Sequence, residues 1–190
     1  MMDRKEKFTA ETRQDWRNWL AENHTQTEGI WLITYKKNSS MPYLSYNDIV
    51  EEAICFGWID SVPRKLDDRR TMLYISPRKK GSNWSKANKD RVSKLLQQNL
   101  IHASGMTKIE QAKVDGSWTF LDDVEALILP EDLKQALAQN PLAQKYFMAF
   151  PPSVKRGILE WIKNAKRSPT RAKRIARTVE LAAQNIRANF

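Results

Sequence analysis

The chain has 190 residues, 41% of them hydrophobic and 28% charged, with 32 lysines and arginines against 22 acidic residues and a net charge of +10. That length can bury a core, and 6 glycines and 8 prolines in such a composition exclude collagen-like, low-complexity and wholly disordered chains. The single Cys55 excludes an intramolecular disulfide, and one cysteine with two histidines, His24 and His102, does not make a structural zinc site, so no metal or other cofactor is expected.

Residues 9–24, TAETRQDWRNWLAENH, place Trp16, Trp19 and Leu20 at helical spacing, with Thr9 as the predicted N-cap. IWLITYKK is β-branched and aromatic, which predicts a strand over about 30–37. Ser45 then precedes a second helix with Ile49, Val50, Ala53, Ile54 and Phe56 on its buried face, ending at Gly57. The strand-like runs Ile59 to Lys65 and Thr71 to Ser76, on either side of a charged turn, predict a hairpin. Ser82 stands where an N-cap for a third helix is expected, with Trp84 in its first turn and Val92, Leu95 and Leu96 available for packing. A short helix near Thr107 to Val114 and another from Glu131, broken at Pro141 and resuming to Phe150, come next. Ser153 is expected to cap a helix through Lys166, and Ser168-Pro169 to start the last one. In that last helix Ala172, Ile175, Ala176, Val179, Ala182, Ala183 and Ile186 form an apolar stripe. These elements predict an α+β chain: an N-terminal unit over 1–118, with a short antiparallel sheet covered by helices, and a helical C-terminal subdomain over 119–190.

The positive charge is segregated. Residues 1–60 carry −3, 61–113 carry +9, 114–150 carry −4 and 151–190 carry +8. The opening MMDRKEKFTA has no apolar secretory run, and no later stretch reaches the roughly 20 apolar residues of a membrane span, so a cytoplasmic protein is expected.

Three blocks, VEEAICFGWIDS (50–61), SPRKKGSNWSKANKDRV (76–92) and AKRSPTRAKRI (165–175), resemble the YdeI/OmpD-associated family of bacteriocin-protection proteins. The resemblance extends from about Phe8 onward and takes in WLITYKK and the DGSW of Asp115 to Trp118. It implies a bacterial or similar stand-alone protein with a role in resistance to bacteriocins or cationic antimicrobial peptides.

Several segments carry candidate chemistry. If a strand ends near Ser76 and a helix starts after Ser82, the cations Arg78, Lys79 and Lys80, the Ser82 hydroxyl and the first-turn N–H groups converge as an anion or phosphate site, with Trp84 offering a ring face. The same residues equally fit a capping serine, a packed indole and a solvated basic turn. In the last helices Lys163, Lys166, Arg167, Arg171, Lys173, Arg174 and Arg177 form a cationic ridge, which fits either a phosphate backbone or a solubilising face paired with Asp122, Asp123 or Glu125. Trp58, Asp60 and Ser61 lie where a helix turns into a strand, a place that suits a ligand or a structural ion pair. Cys55 in AICFGW reads as a packing residue, and His24 and His102 as groups near helix C-termini. No G-x-S-x-G or HExxH motif is present. The leading expectation is a non-enzymatic stress or resistance protein that binds an anionic partner, a phosphate ligand or nucleic acid. The alternatives are a ligand-binding protein or enzyme with one pocket near Trp58, Asp60, Arg78 and Trp84, and a scaffold with a Trp-rich surface for another protein.

Overall fold

The computed structural model describes residues 6–189. The chain divides into two compact units between Thr119 and Phe120. In the first, strand β1 (Lys7–Thr9) runs parallel to β2 (Ile30–Tyr35) through helix α1 (Arg13–Asn23). Helix α2 (Tyr46–Cys55) leads into the hairpin of β3 (Trp58–Lys65) and β4 (Arg70–Pro77), and β4 pairs antiparallel with β2. The sheet order is therefore β1-β2-β4-β3. Helices α3 (Lys86–Gln97) and α4 (Ala103–Asp115) complete this unit, and the α+β class expected from the sequence is what forms.

One face of the sheet builds the core. Ile30, Leu32, Leu73, Ile75 and Trp58 join Trp16, Trp19, Leu20, Ile49, Ala53 and Ile54 in a single buried cluster. The indoles reach buried carbonyls: Trp16 Nε1 donates to Ile49 O (3.1 Å) and Trp58 Nε1 to His24 O (3.2 Å). Trp31 is covered instead by Tyr74, with ring centroids 5.2 Å apart, and by the guanidinium of Arg64 at 4.7 Å. Trp16, Trp19, Trp31, Trp58 and Trp84 are all buried, so these tryptophans form no docking surface.

The capping residues differ from several sequence expectations. Thr9 lies in β1, where its register with Ile33 takes it out of reach of α1, and Thr12 caps that helix. The Thr12 hydroxyl accepts from the Asp15 N–H (3.1 Å) while Asp15 accepts from the Thr12 N–H (2.9 Å), a reciprocal capping box. Ser82 is not a cap. Ser85 is, accepting from the Asn88 N–H (3.3 Å), because residues 79–84 are held in an irregular path by Trp84 N–H donating to Ser117 O and by Arg78 reaching back to Asn83 O. Trp84 therefore precedes α3. His102 is the N-cap of α4, which begins at Ala103.

Two glycines set how α2 is followed. Gly57 takes φ +79, turning the chain into β3, and a Cβ on Gly105 would lie 2.2 Å from Cys55 O, so α4 crosses the end of α2 at glycine distance.

The second unit holds α5 (Asp122–Glu125), α6 (Glu131–Ala138), α7 (Pro141–Ala149), α8 (Pro152–Lys163) and α9 (Ser168–Ala183) around Leu133, Leu137, Phe147, Ile158, Ile162 and Ile175. The break at Pro141 occurs as predicted, with the Asn140 side chain capping α7. Ser153 and Ser168 lie inside α8 and α9, whose N-cap positions are Pro151 and Arg167, and α8 ends at Lys163 rather than Lys166. The predicted apolar stripe of α9 is only partly buried. Ile175 and Ala182 face the core, Ala172 and Ala176 are exposed, and Ile186 lies beyond the helix end, where Asn185 at φ +58 redirects the chain.

Candidate functional site

A concave cleft opens where the sheet runs out from under α2. Thr34 of β2, Thr71 and Leu73 of β4 and Pro63 of β3 share one sheet face: Thr34 pairs with Thr71 and Pro63 with Leu73, after a register shift between Asp60 and Pro63. Tyr43, Leu44, Tyr46 and Ile49 form the opposite wall, and the space between measures about 610 Å³. That lies within the range of small-molecule sites, about 300–1,000 Å³. Tyr43 and Tyr46 are about half exposed, so two aromatic rings stand at the rim.

Asp60 is the acidic residue lining this cleft, and it accepts a hydrogen bond from the Tyr46 hydroxyl (2.7 Å). Partial burial of the phenol, reinforced by the neighbouring Asp60 charge, pushes Tyr46 up to about 12, so it stays a donor across the physiological range. At another edge Lys36 donates its ammonium to the carbonyls of Asp67 (2.8 Å) and Asp68 (3.2 Å). The cleft thus combines apolar and aromatic walls with one carboxylate, Asp60, and two lysines, Lys36 and Lys37, of which Lys36 is held by backbone carbonyls.

Arg78 faces a different space. Its side chain is 2% exposed, its guanidinium carbon lies 3.7 Å from the centre of the Trp84 ring, and Nη1 donates to Asn83 O (3.0 Å). Burial pulls Arg78 down to about 10, offset by the Asp60 charge, which leaves it cationic at neutral pH. Nε and Nη2 of Arg78 and Nε1 of Trp84 are buried without a hydrogen-bond acceptor among the described residues. Arg78 and Trp84 both line a space of about 10 Å³, with Lys79, Lys80, Ser82, Lys108 and Asp115 also on its walls.

Trp58, Asp60, Arg78 and Trp84, grouped in one pocket from the sequence, do not line one common space among the described residues. Asp60 lines the cleft, Arg78 and Trp84 line the small cavity, and Trp58, 1% exposed, is a core residue. Trp58 and Asp60 share a sheet face, but Trp58 is roofed by Trp19 at 5.7 Å, edge to face, while Asp60 meets the hydroxyl of Tyr46 at the start of α2. Nor do Arg78 and Ser82 lie at a helix N-terminus, since α3 starts at Lys86. Lys79 and Lys80 are exposed. The residues that sequence reasoning missed are Tyr43, Tyr46 and the Thr34–Thr71 pair. The segment MPYLSY, with two tyrosines between a strand and a helix cap, carried the only local signal.

Three of the seven ridge cations are paired with carboxylates of their own unit. Arg171 grips Asp132 through two bonds (2.6 and 2.9 Å), Lys163 binds Asp123 (2.5 Å), Arg177 binds Glu180 (2.8 Å), and Arg174 donates to Trp161 O while covering that indole. Lys166, Arg167 and Lys173 are exposed. Pairing was one of the two readings of the ridge, and Arg171 does pair, with Asp132 rather than with Asp122, Asp123 or Glu125. Cys55 is fully buried, and burial together with the Glu52 charge pushes its thiol up to about 11, which suits packing and not nucleophilic work.

Comparison with known families divides along the chain. Residues 126–185 match the family described as Bacteriocin-protection, YdeI or OmpD-Associated, and residues 8–108 match the one described as Domain of unknown function (DUF8412). Of the three sequence blocks that carry the resemblance, the last falls within the first match and the other two within the second. No curated protein and no solved structure matches the chain. The chain, matched over more than half its 190 residues, belongs to the DUF8412 family and carries a YdeI/OmpD-associated segment in its helical C-terminal unit.

Proposed function

We propose that this is a non-enzymatic ligand-binding protein whose N-terminal unit takes an apolar or aromatic small molecule bearing a cationic or donor group. The observation that carries this reading is the 610 Å³ cleft with Asp60 as its acidic wall residue, held by Tyr46 and facing Tyr43, Leu44 and Leu73. Apolar walls supply affinity and one placed polar group supplies orientation. The role in resistance to bacteriocins or antimicrobial peptides that the C-terminal match brings with it then takes the form of capture or sensing of a small molecule. A cytoplasmic setting agrees with the sole, buried Cys55 and with the absence, among the described residues, of a helix long and apolar enough to cross a membrane.

Ligand-observed NMR with a panel of aromatic amines and their neutral and acidic isosteres tests this. Amines are expected to bind best, and Asp60→Asn to lower their affinity about tenfold, the equivalent of roughly 1.4 kcal/mol, while leaving neutral isosteres within twofold. Binding of none of the panel, or equal binding of amine and acid, overturns the reading.

A further inference from the structure

The Asp60 cleft has two ends of opposite charge, and the sheet register measures the distance between them. Asp60 on β3 stands opposite Ile75 of β4, which stands opposite Ile30 at the start of β2. Lys36 follows the other end of β2, where its N–H donates to Arg69 O in the hairpin turn, and both Asp60 and Lys36 line the cleft. From Ile30 to Lys36 the chain advances six residues, roughly 20 Å of extended strand. A compact ligand filling 610 Å³ is roughly 10 Å across and touches one end only. A ligand that uses both ends is elongated.

The contacts at each end leave charge to be met from outside. At the hairpin turn the Lys36 ammonium is held by two neutral carbonyls, those of Asp67 (2.8 Å) and Asp68 (3.2 Å). The carboxylates of the same residues are taken up elsewhere, Asp67 by Arg70 (2.7 Å) and Asp68 by Lys65 (2.9 Å). The carbonyls therefore fix the ammonium in position without neutralising it, and its third N–H suits an anionic acceptor. At the other end Asp60 accepts from the Tyr46 hydroxyl, and Arg78 acts on it by charge alone, which leaves accepting capacity on the carboxylate. Between the ends, the hydroxyl-bearing Tyr43, Ser61 and Thr71 are interspersed with Leu44, Ile49 and Leu73. Such a lining fits a chain whose polar groups recur along its length better than an unbroken alkyl chain.

The geometry points to a short extended peptide as the ligand, its free amino terminus at Asp60 and its carboxylate at Lys36, a proposal that deepens the reading of the Asp60 cleft and rests on it. An extended chain advances about 3.3–3.6 Å per residue, so about five or six residues match the cleft.

Native mass spectrometry of the intact chain with a series of alternating alanine–phenylalanine peptides, from dipeptide to nonapeptide with free termini, tests this. Occupancy is expected to peak at the pentapeptide or hexapeptide. Amidating the C-terminus of that peptide should weaken binding to the wild type about tenfold but change binding to Lys36→Met by less than about twofold. Acetylating its N-terminus should show the same contrast between wild type and Asp60→Asn. If Lys36→Met does not fold, the amidated peptide on the wild type decides. Occupancy independent of length, amidation without effect on the wild type, or an equal effect in Lys36→Met overturns the proposal. Aromatic amines that bind through Asp60 while no peptide binds would overturn it and leave the Asp60 reading standing, whereas failure of both removes the two together.

Discussion

At the residue scale, three positions show how far a side chain's role departs from its type. Cys55 would be the natural suspect for reactivity in a chain with one cysteine, yet its burial and its raised thiol value make the thiolate scarce. Native protein at pH 8 is expected to resist a disulfide reagent until the unit unfolds, measured as release of the reporter thiolate against denaturant, and prompt modification in buffer alone would contradict this. Gly105 is fixed by contact: with a Cβ position 2.2 Å from Cys55 O, Gly105→Ala must push α4 off α2. Overpacking of this kind costs typically 1–3 kcal/mol, and about 3 kcal/mol is expected at a backbone contact, read from urea unfolding. The packing role of Cys55 was visible in its apolar AICFGW setting, whereas that of Gly105 was not, since a helical glycine says nothing about what crosses it. Asp60 was legible as a candidate because a carboxylate beside a helix-to-strand turn is noticeable. Its partner Tyr46 was not, because the two meet only through the fold.

Between elements, the strongest polar connection joins α1, α2 and α3. Glu52, 2% exposed, binds Arg13 (2.5 Å) and Arg17 (2.6 Å), and Glu51, equally buried, binds Arg13 (3.0 Å) and Lys94 (2.7 Å). Nothing in the local sequence pattern pairs Glu51 and Glu52 with Arg13 and Arg17, which lie more than 30 residues away. Tertiary packing turns them toward one another. Removing Glu52 takes the carboxylate partner from Arg17, while Arg13 keeps Glu51 and Asp48, and Glu52→Ala is expected to cost roughly 2–3 kcal/mol, short of the 3–5 of a fully buried pair because the arginine ends remain 36% and 28% exposed. Burial raises the carboxyl of Glu51, but hydrogen bonds from Lys94 and Asn47 and the charges of Lys94 and Arg13 outweigh it and hold the group below its ordinary value. A depressed carboxyl contributes stability that is complete above the unfolded value, roughly pH 4–5, and is lost as the pH falls through the folded one. Acid titration of unfolding free energy should therefore show a loss beginning below about pH 5 that is shallower in Glu51→Gln. An unchanged slope in that variant would remove Glu51 from the account.

For the whole molecule, the net charge of +10 invites a nucleic-acid reading that the ion pairs of the second unit weaken. Any binding to a polyanion at low salt is expected to come from exposed cations such as Lys79, Lys80, Lys166 and Lys173 and to be nonspecific and steeply salt-dependent. Arg171→Ala should leave that binding within twofold while lowering thermal stability through loss of the Asp132 pair, checked by fluorescence anisotropy beside a melting curve. A large loss of affinity with unchanged stability would restore the ridge as an interface. By itself the sequence determined the α+β class, the hairpin, the α6–α7 break at Pro141 and most helix positions, because these rest on periodicity and turn chemistry within a few residues. It placed several caps wrongly because Thr9 and Thr12, or Ser82 and Ser85, are locally equivalent, and only pairing with β2 or anchoring to Ser117 chooses between them. Only the tertiary structure decided that Asp60 and Arg78 face separate spaces, that Lys163, Arg171 and Arg177 meet carboxylates of their own unit, and that a guanidinium is buried on an indole. Each depends on which distant surfaces meet, a matter of packing that no local pattern encodes.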